Sequence, residues 1–116
     1  MGGRRRVAQL VGRGEIWMYE FRSPDKQRPV VVLSRPEAIE HLHTVMIAPV
    51  TSTIRGLPSE VLVGASEGLK HASAVNLDHV QTVEKARLRR FVGRLGPERL
   101  RALCGALAVA TGCDSN

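Results

Sequence analysis

The stretch KQRPVVVLS, Lys26 to Ser34, decides how this chain folds. Val30, Val31, Val32 and Leu33 form an unbroken apolar run. Such a run predicts a buried strand. Pro29 opens the run, and proline is tolerated in a sheet only at a strand's first position or on an edge. Lys26, Gln27 and Arg28 crowd its mouth. A basic cluster there either solvates a strand end or faces something negatively charged. Pro29 also holds Arg28 to extended backbone, which limits the directions its side chain can take.

Working outward, GEIWMYEF (Gly14 to Phe21) alternates, with Ile16 and Met18 against Trp17, Tyr19 and Phe21, and predicts a first strand. RSPDKQ then supplies the bend. After the valine run, Pro36 suits the first position of a short helix, with Ala38, Ile39 and Leu42 as its apolar side. TVMIAPV (Thr44 to Val50) predicts a buried third strand whose end Pro49 marks as an edge or bulge. TSTIRGLPS is a polar loop, EVLV (Glu60 to Val63) a fourth strand, and GASEGLKHA a loop punctuated by Gly64 and Gly68. SAVNLDHVQTV predicts a fifth strand pair around Val75, Leu77, Val80 and Val83. EKARLRR reads as a helical turn and FVGRL as a last short strand. Gly96-Pro97 starts a helix in which Leu100, Leu103, Cys104, Leu107 and Thr111 share one face, and Gly112 ends it as C-cap. Five or six short strands with little helix predict an α+β fold, mainly antiparallel β: a small barrel with attached helices.

The totals agree with one domain. The chain has 116 residues, 43% of them hydrophobic. Residues 1–11 are expected to form a flexible N-terminal extension and residues 12–116 a single domain. The formal net charge is +6, of which Arg4, Arg5 and Arg6 carry half, so the remainder is mildly basic. That balance favours phosphate-bearing partners. Aromatic residues are too scarce for a base-stacking platform. Cys104 and Cys113 lie half a turn out of phase along the last helix, so they cannot bridge there, and free thiols in a reducing cytoplasm fit them. No stretch is long and apolar enough for a membrane span, and MGGRRRVAQLV is too mixed for a signal peptide. GRGE lacks the lysine and hydroxyl of a phosphate loop, and His41, His43, His71 and His79 show no metal spacing.

What remains is polar residues at strand ends: Lys26, Gln27 and Arg28 before the second strand; Thr51, Ser52 and Thr53 after the third; Asn76, Asp78, His79 and Gln81 on the fifth. Taken singly, each group reads as a solvated edge or a hydroxyl-stabilised turn.

Taken together they match something. RGEIW, QRPVVVLS, VMIAPVTS, GLPSEVLV and VNLDHVQTV follow one another in an order and at a spacing that resembles the MazF/PemK family of toxin endoribonucleases, from about Arg13 to about Gly112. The resemblance implies an SH3-like barrel of the CcdB/PemK type, with short helices and a C-terminal helix. It implies a cytoplasmic homodimer that cuts single-stranded RNA, including mRNA, at short sequences without metal or cofactor, and a cognate antitoxin partner. At the matched positions it implies Arg28 and Thr51 as catalytic residues. It implies RNA contacts from Lys26, Gln27, Ser52, Thr53, Arg55, Asn76, Asp78, His79 and Gln81. The family's loop between the first two strands is usually longer and rich in Gly, Ser and Glu; here it is only RSPDKQ.

Two other readings share the fold. A gyrase inhibitor of the CcdB kind would end in an apolar, aromatic tail, whereas this chain ends TGCDSN. A non-catalytic SH3-like module would bind RNA or protein without cutting.

The chemistry of the implied reaction suits the residues. Metal-free cleavage uses the substrate's own 2′-hydroxyl and leaves a 2′,3′-cyclic phosphate and a 5′-hydroxyl. Arg28 offers a guanidinium fork for two phosphate oxygens. Thr51 offers a hydroxyl donor to a non-bridging oxygen. The general acid and base stay unassigned, with His79 the histidine nearest the expected site along the chain.

Overall fold

The valine run lies in the middle of a sheet that covers it from both sides. The computed structural model describes residues 10–22 and 26–114. In chain order the elements are β1 (Glu15–Glu20), β2 (Gln27–Val32), α1 (Pro36–His41), β3 (Thr44–Thr51), β4 (Glu60–Val63), β5 (Ser73–Asn76), β6 (Gln81–Glu84), β7 (Leu88–Arg94) and α2 (Pro97–Thr111). Short 3-10 turns occupy Ala65–Glu67, Leu77–His79 and Lys85–Arg87. The hydrogen-bonded order is β4-β5-β3-β2-β1-β7, with β6 also on β3, and every pairing is antiparallel. The sheet curls into a half-barrel with α2 against it.

Successive residues of β2 feed different cores. Val31, with Leu33 just beyond the strand, joins Ile16, Ala48, Val50, Val75, Leu77 and Leu103 on one side. Val30 and Val32 join Trp17, Tyr19, Ile39, Val45 and Ile47 on the other. Val30, Val31 and Val32 are all fully buried. The unbroken run is thus a buried strand, as the sequence predicts, and the structure shows both of its faces apolar. The first nine residues of the expected extension lie outside the described residues. Val11, its last residue, is buried in the second core.

Four sequence expectations are corrected. β2 begins at Gln27, so Pro29 is its third residue, paired with Met18 of β1. Pro49 does not end β3, which runs on through Thr51. Residues 44–47 of β3 pair with β6 and residues 50–51 with β5, so Pro49 falls in the gap, where no N–H is required. The expected strand pair over SAVNLDHVQTV is β5 and β6, parted by the turn Leu77–His79, but β7 starts at Leu88 and is longer than FVGRL, giving seven strands among the described residues rather than five or six. On α2 the covered stripe is Leu100, Leu103, Ala106, Leu107 and Ala110, while Cys104 and Thr111 are exposed. Small Ala106 and Ala110 let that side of the helix approach the sheet. The helix ends follow expectation: Pro97 stands in the first turn after Gly96, and Gly112 caps the far end with φ of 78°.

Candidate active site

The site opens where two neighbouring strands part. β2 and β3 are paired only over Val30–Val32 against Ile47–Pro49. The next bonded pair would need a donor from Pro29, which has no backbone N–H, and the ladder stops beside it. Beyond that point β3 turns to pair with β5, and β2 keeps only β1. The opening is a cleft of about 600 Å³. Arg28 and Pro29 come from β2, Val50 and Thr51 from β3, Met18 from β1, and Arg90 and Val92 from β7. Ser52, Thr53, Ser73 and residues 68–71 complete its wall.

Local bonds prepare the groups. Thr51 Oγ1 accepts a hydrogen bond from the Thr53 amide at 3.0 Å. That bond closes the turn after β3 and leaves the Thr51 hydroxyl hydrogen to be donated elsewhere. Arg28 is exposed, and among the described residues no carboxylate lines the cleft. Arg28, Lys70 and Arg90 therefore face it uncompensated, a positive field suited to phosphate. Among the described residues no group of three or more His, Cys, Asp or Glu could hold a metal ion.

The wall at 64–71 is clamped from behind. Glu67 is 6% exposed, and its carboxylate accepts from the Gly64 amide at 2.7 Å and from Arg99 Nε of α2 at 3.1 Å. Buried charge is tolerated there because both oxygens are engaged. Gly68 has φ of 93°, and a Cβ on it would sit 2.4 Å from the Val92 carbonyl oxygen. The Ser73 hydroxyl donates to the His71 carbonyl at 3.0 Å. The loop carrying Lys70 and His71 is thereby set against β7.

The expected residues divide. Arg28, Thr51, Ser52 and Thr53 are brought together in the cleft. Lys26 and Gln27 stand beside it: the Lys26 carbonyl accepts from the Phe21 amide at 3.0 Å, and Gln27 pairs with Glu20. Arg55 lies in a loop whose amides at Arg55, Gly56 and Leu57 donate to the Glu60 carboxylate. Asp78 and His79 are in a 3-10 turn rather than on a strand. Asp78 accepts from the Ser59 hydroxyl at 2.6 Å, and the side chains of Asn76 and His79 meet at 3.3 Å. Gln81 pairs with Ile47 at the start of β6. Asn76, Asp78, His79 and Gln81 therefore do not line the cleft with Arg28. Lys70, His71 and Arg90 do, and none was expected. A signal existed in GLKHAS, where two basic residues follow a glycine turn, but nothing local says which strand end that loop meets.

Comparison with known proteins decides the family. Residues 12–111 match the family model described as PemK-like, MazF-like toxin of type II toxin-antitoxin system. The chain belongs to the PemK/MazF family. A relative named probable endoribonuclease MazF5, from Mycobacterium tuberculosis, is 49% identical over 109 residues, covering 93% of this chain and 99% of its own. Among solved structures, the Mycobacterium tuberculosis toxin MazF-mt6 superposes with a TM-score of 0.78 at 38% identity, covering 84% of this chain and 96% of that one. An endoribonuclease in complex with its cognate antitoxin, from a mycobacterial species, gives a TM-score of 0.80 at 26% identity, covering 89% of this chain and 96% of that one. The half-barrel with its C-terminal helix is the architecture of PemK/MazF proteins, as the sequence resemblance implies.

Proposed function

We propose that this PemK/MazF protein is the endoribonuclease toxin of a type II toxin–antitoxin pair, and that it cuts single-stranded RNA, mRNA included, in the cleft between β2 and β3. The observation that carries the assignment is the union of Arg28 and Thr51 at one strand opening with no carboxylate among its described lining residues. The reaction is attack by the ribose 2′-hydroxyl on the adjacent phosphorus. The P–O5′ bond breaks, a 2′,3′-cyclic phosphate forms, and the 5′-oxygen leaves as a hydroxyl. Negative charge builds on the non-bridging oxygens as the phosphorane forms. The Arg28 guanidinium meets two of them as a fork, and the Thr51 hydroxyl donates to one. Both groups are held on strand ends, so they are aimed before substrate arrives. Lys70 and Arg90 attract the flanking phosphates.

Lys26, Gln27, Ser52, Thr53, Arg55, Asn76, Asp78, His79 and Gln81 remain in this reading as contacts along a longer RNA path, giving base preference through hydrogen bonds to unstacked edges. The antitoxin lays an acidic, extended segment over the same basic cleft. The working form is a cytoplasmic homodimer. Its apolar seam is the groove that Met46, Leu77 and Val80 form with Leu107, Ala108 and Ala110 of α2. No helix of the described residues is long and apolar enough to cross a membrane.

The deciding experiment incubates the protein with random single-stranded RNA in EDTA and maps the ends. Cyclic phosphate and 5′-hydroxyl ends are expected at a recurring short sequence. Intact RNA with retained binding would make this a binding module, and intact RNA with blocked DNA supercoiling would make it a gyrase inhibitor. Sedimentation at micromolar concentration is expected to give twice the chain mass; monomer alone would remove the groove from the interface.

A further inference from the structure

The proposed cleavage leaves its proton transfers without a residue, and the cleft contains one group suited to them. We propose that His71 is the general base of this site, taking the proton from the attacking 2′-hydroxyl. The inference rests on the RNA cleavage proposed above.

His71 lines the cleft with Arg28 and Thr51. The other histidines do not. His41 and His43 line a separate cavity with Val11, Arg13 and Lys85. His79 sits in the turn after β5 with its ring against Asn76. The remaining polar side chains of the cleft are hydroxyls, guanidinium groups and one ammonium, at Thr51, Ser52, Thr53, Ser73, Arg28, Arg90 and Lys70. None of these classes accepts a proton readily near neutral pH, whereas imidazole does. The His71 side chain is exposed, so RNA can reach it. Its backbone is nevertheless fixed: its carbonyl accepts from the Ser73 hydroxyl, and the Leu69 amide donates to the Gly64 carbonyl at 3.2 Å. A ring free to meet substrate on a clamped loop is the arrangement a positioned base requires.

The step balances without a further reactant. The 2′-O–H bond breaks, its proton goes to an imidazole nitrogen, and the 2′-oxygen bonds phosphorus. The P–O5′ bond then breaks, and the departing oxygen takes a proton from water. The imidazolium returns its proton to solvent. The charged groups facing His71 are Arg28 from β2, Arg90 from β7 and its neighbour Lys70.

The test compares wild type with His71→Ala, His71→Gln and the control His41→Ala on single-stranded RNA. Binding is measured separately on RNA with 2′-deoxyribose at the cleavage position. Both His71 variants are expected to lose roughly 100-fold or more in cleavage rate with binding retained within about threefold. The acidic limb of the pH–rate profile should flatten, and added imidazole should restore part of the His71→Ala rate. His41→Ala should cut as wild type does. If the His71 variants cut at the wild-type rate, or lose binding in proportion to rate with no imidazole rescue, His71 is not the base. If wild type leaves every RNA intact, the proposed function itself fails, an outcome distinct from the first.

Discussion

Replacing Arg28 by alanine is expected to lower the RNA cleavage rate roughly 100- to 1,000-fold, the usual effect of deleting one donor to a charge that develops in the transition state. The fold should not notice. The Arg28 side chain is exposed and only Tyr19 of β1 pairs with its backbone, so stability should change by less than about 0.5 kcal/mol. Arg28→Lys separates charge from geometry. An ammonium keeps the attraction for phosphate but cannot engage two oxygens in a plane, so RNA binding should survive in large part while most of the rate is lost. Rate and binding measured together with a thermal melt read all three quantities. Near-normal cleavage by Arg28→Ala with an unchanged melt would remove Arg28 from the site.

The second large effect concerns a residue that touches no RNA. A Cβ on Gly93 would lie 2.0 Å from the Glu67 carbonyl oxygen and 2.8 Å from its carbon. Both obstacles are backbone, so no side-chain rotation relieves them. Gly93→Ala therefore forces the 64–71 segment off β7, and the Glu67–Arg99 bond at 3.1 Å goes with it. The expected cost is about 3 kcal/mol or more in urea denaturation. In the fraction still folded, cleavage should fall as well, since Lys70 and His71 ride on the displaced loop. Gly105 provides a control of opposite sign. It lies inside α2 with nothing within 4 Å of an added Cβ, so Gly105→Ala should stabilise by about 0.5–1 kcal/mol. Equal effects from the two substitutions would mean that the close approach at Gly93 has no energetic weight.

Gly93 also shows where local reading stops. Its place in FVGRL marks an ordinary strand, and only the neighbouring Glu67 backbone makes glycine necessary there. Pro49 is a parallel case. A proline late in a strand signals an edge, yet here it occupies the gap between two ladders of a central strand. Asp78 and His79 followed an apolar alternation that continued past the point where the backbone turns.

By itself the sequence determined the elements whose physics is local: the buried valine strand, the alternating first strand, the Pro-started and Gly-ended last helix, and the order of motifs that marks the family. It also put Arg28 near the start of the second strand and Thr51 at the close of the third, positions set by their own chain neighbours. Only the tertiary structure decided which strand ends meet. Arg28 and Thr51 share a cleft because the ladder between β2 and β3 stops at Pro29. Lys70, His71 and Arg90 join them because a loop held by Glu67 and two glycines is packed on β7. Asn76, Asp78, His79 and Gln81 fall away from it because β3 has different partners on its two halves. Such pairings join residues distant along the chain, and no local preference encodes them.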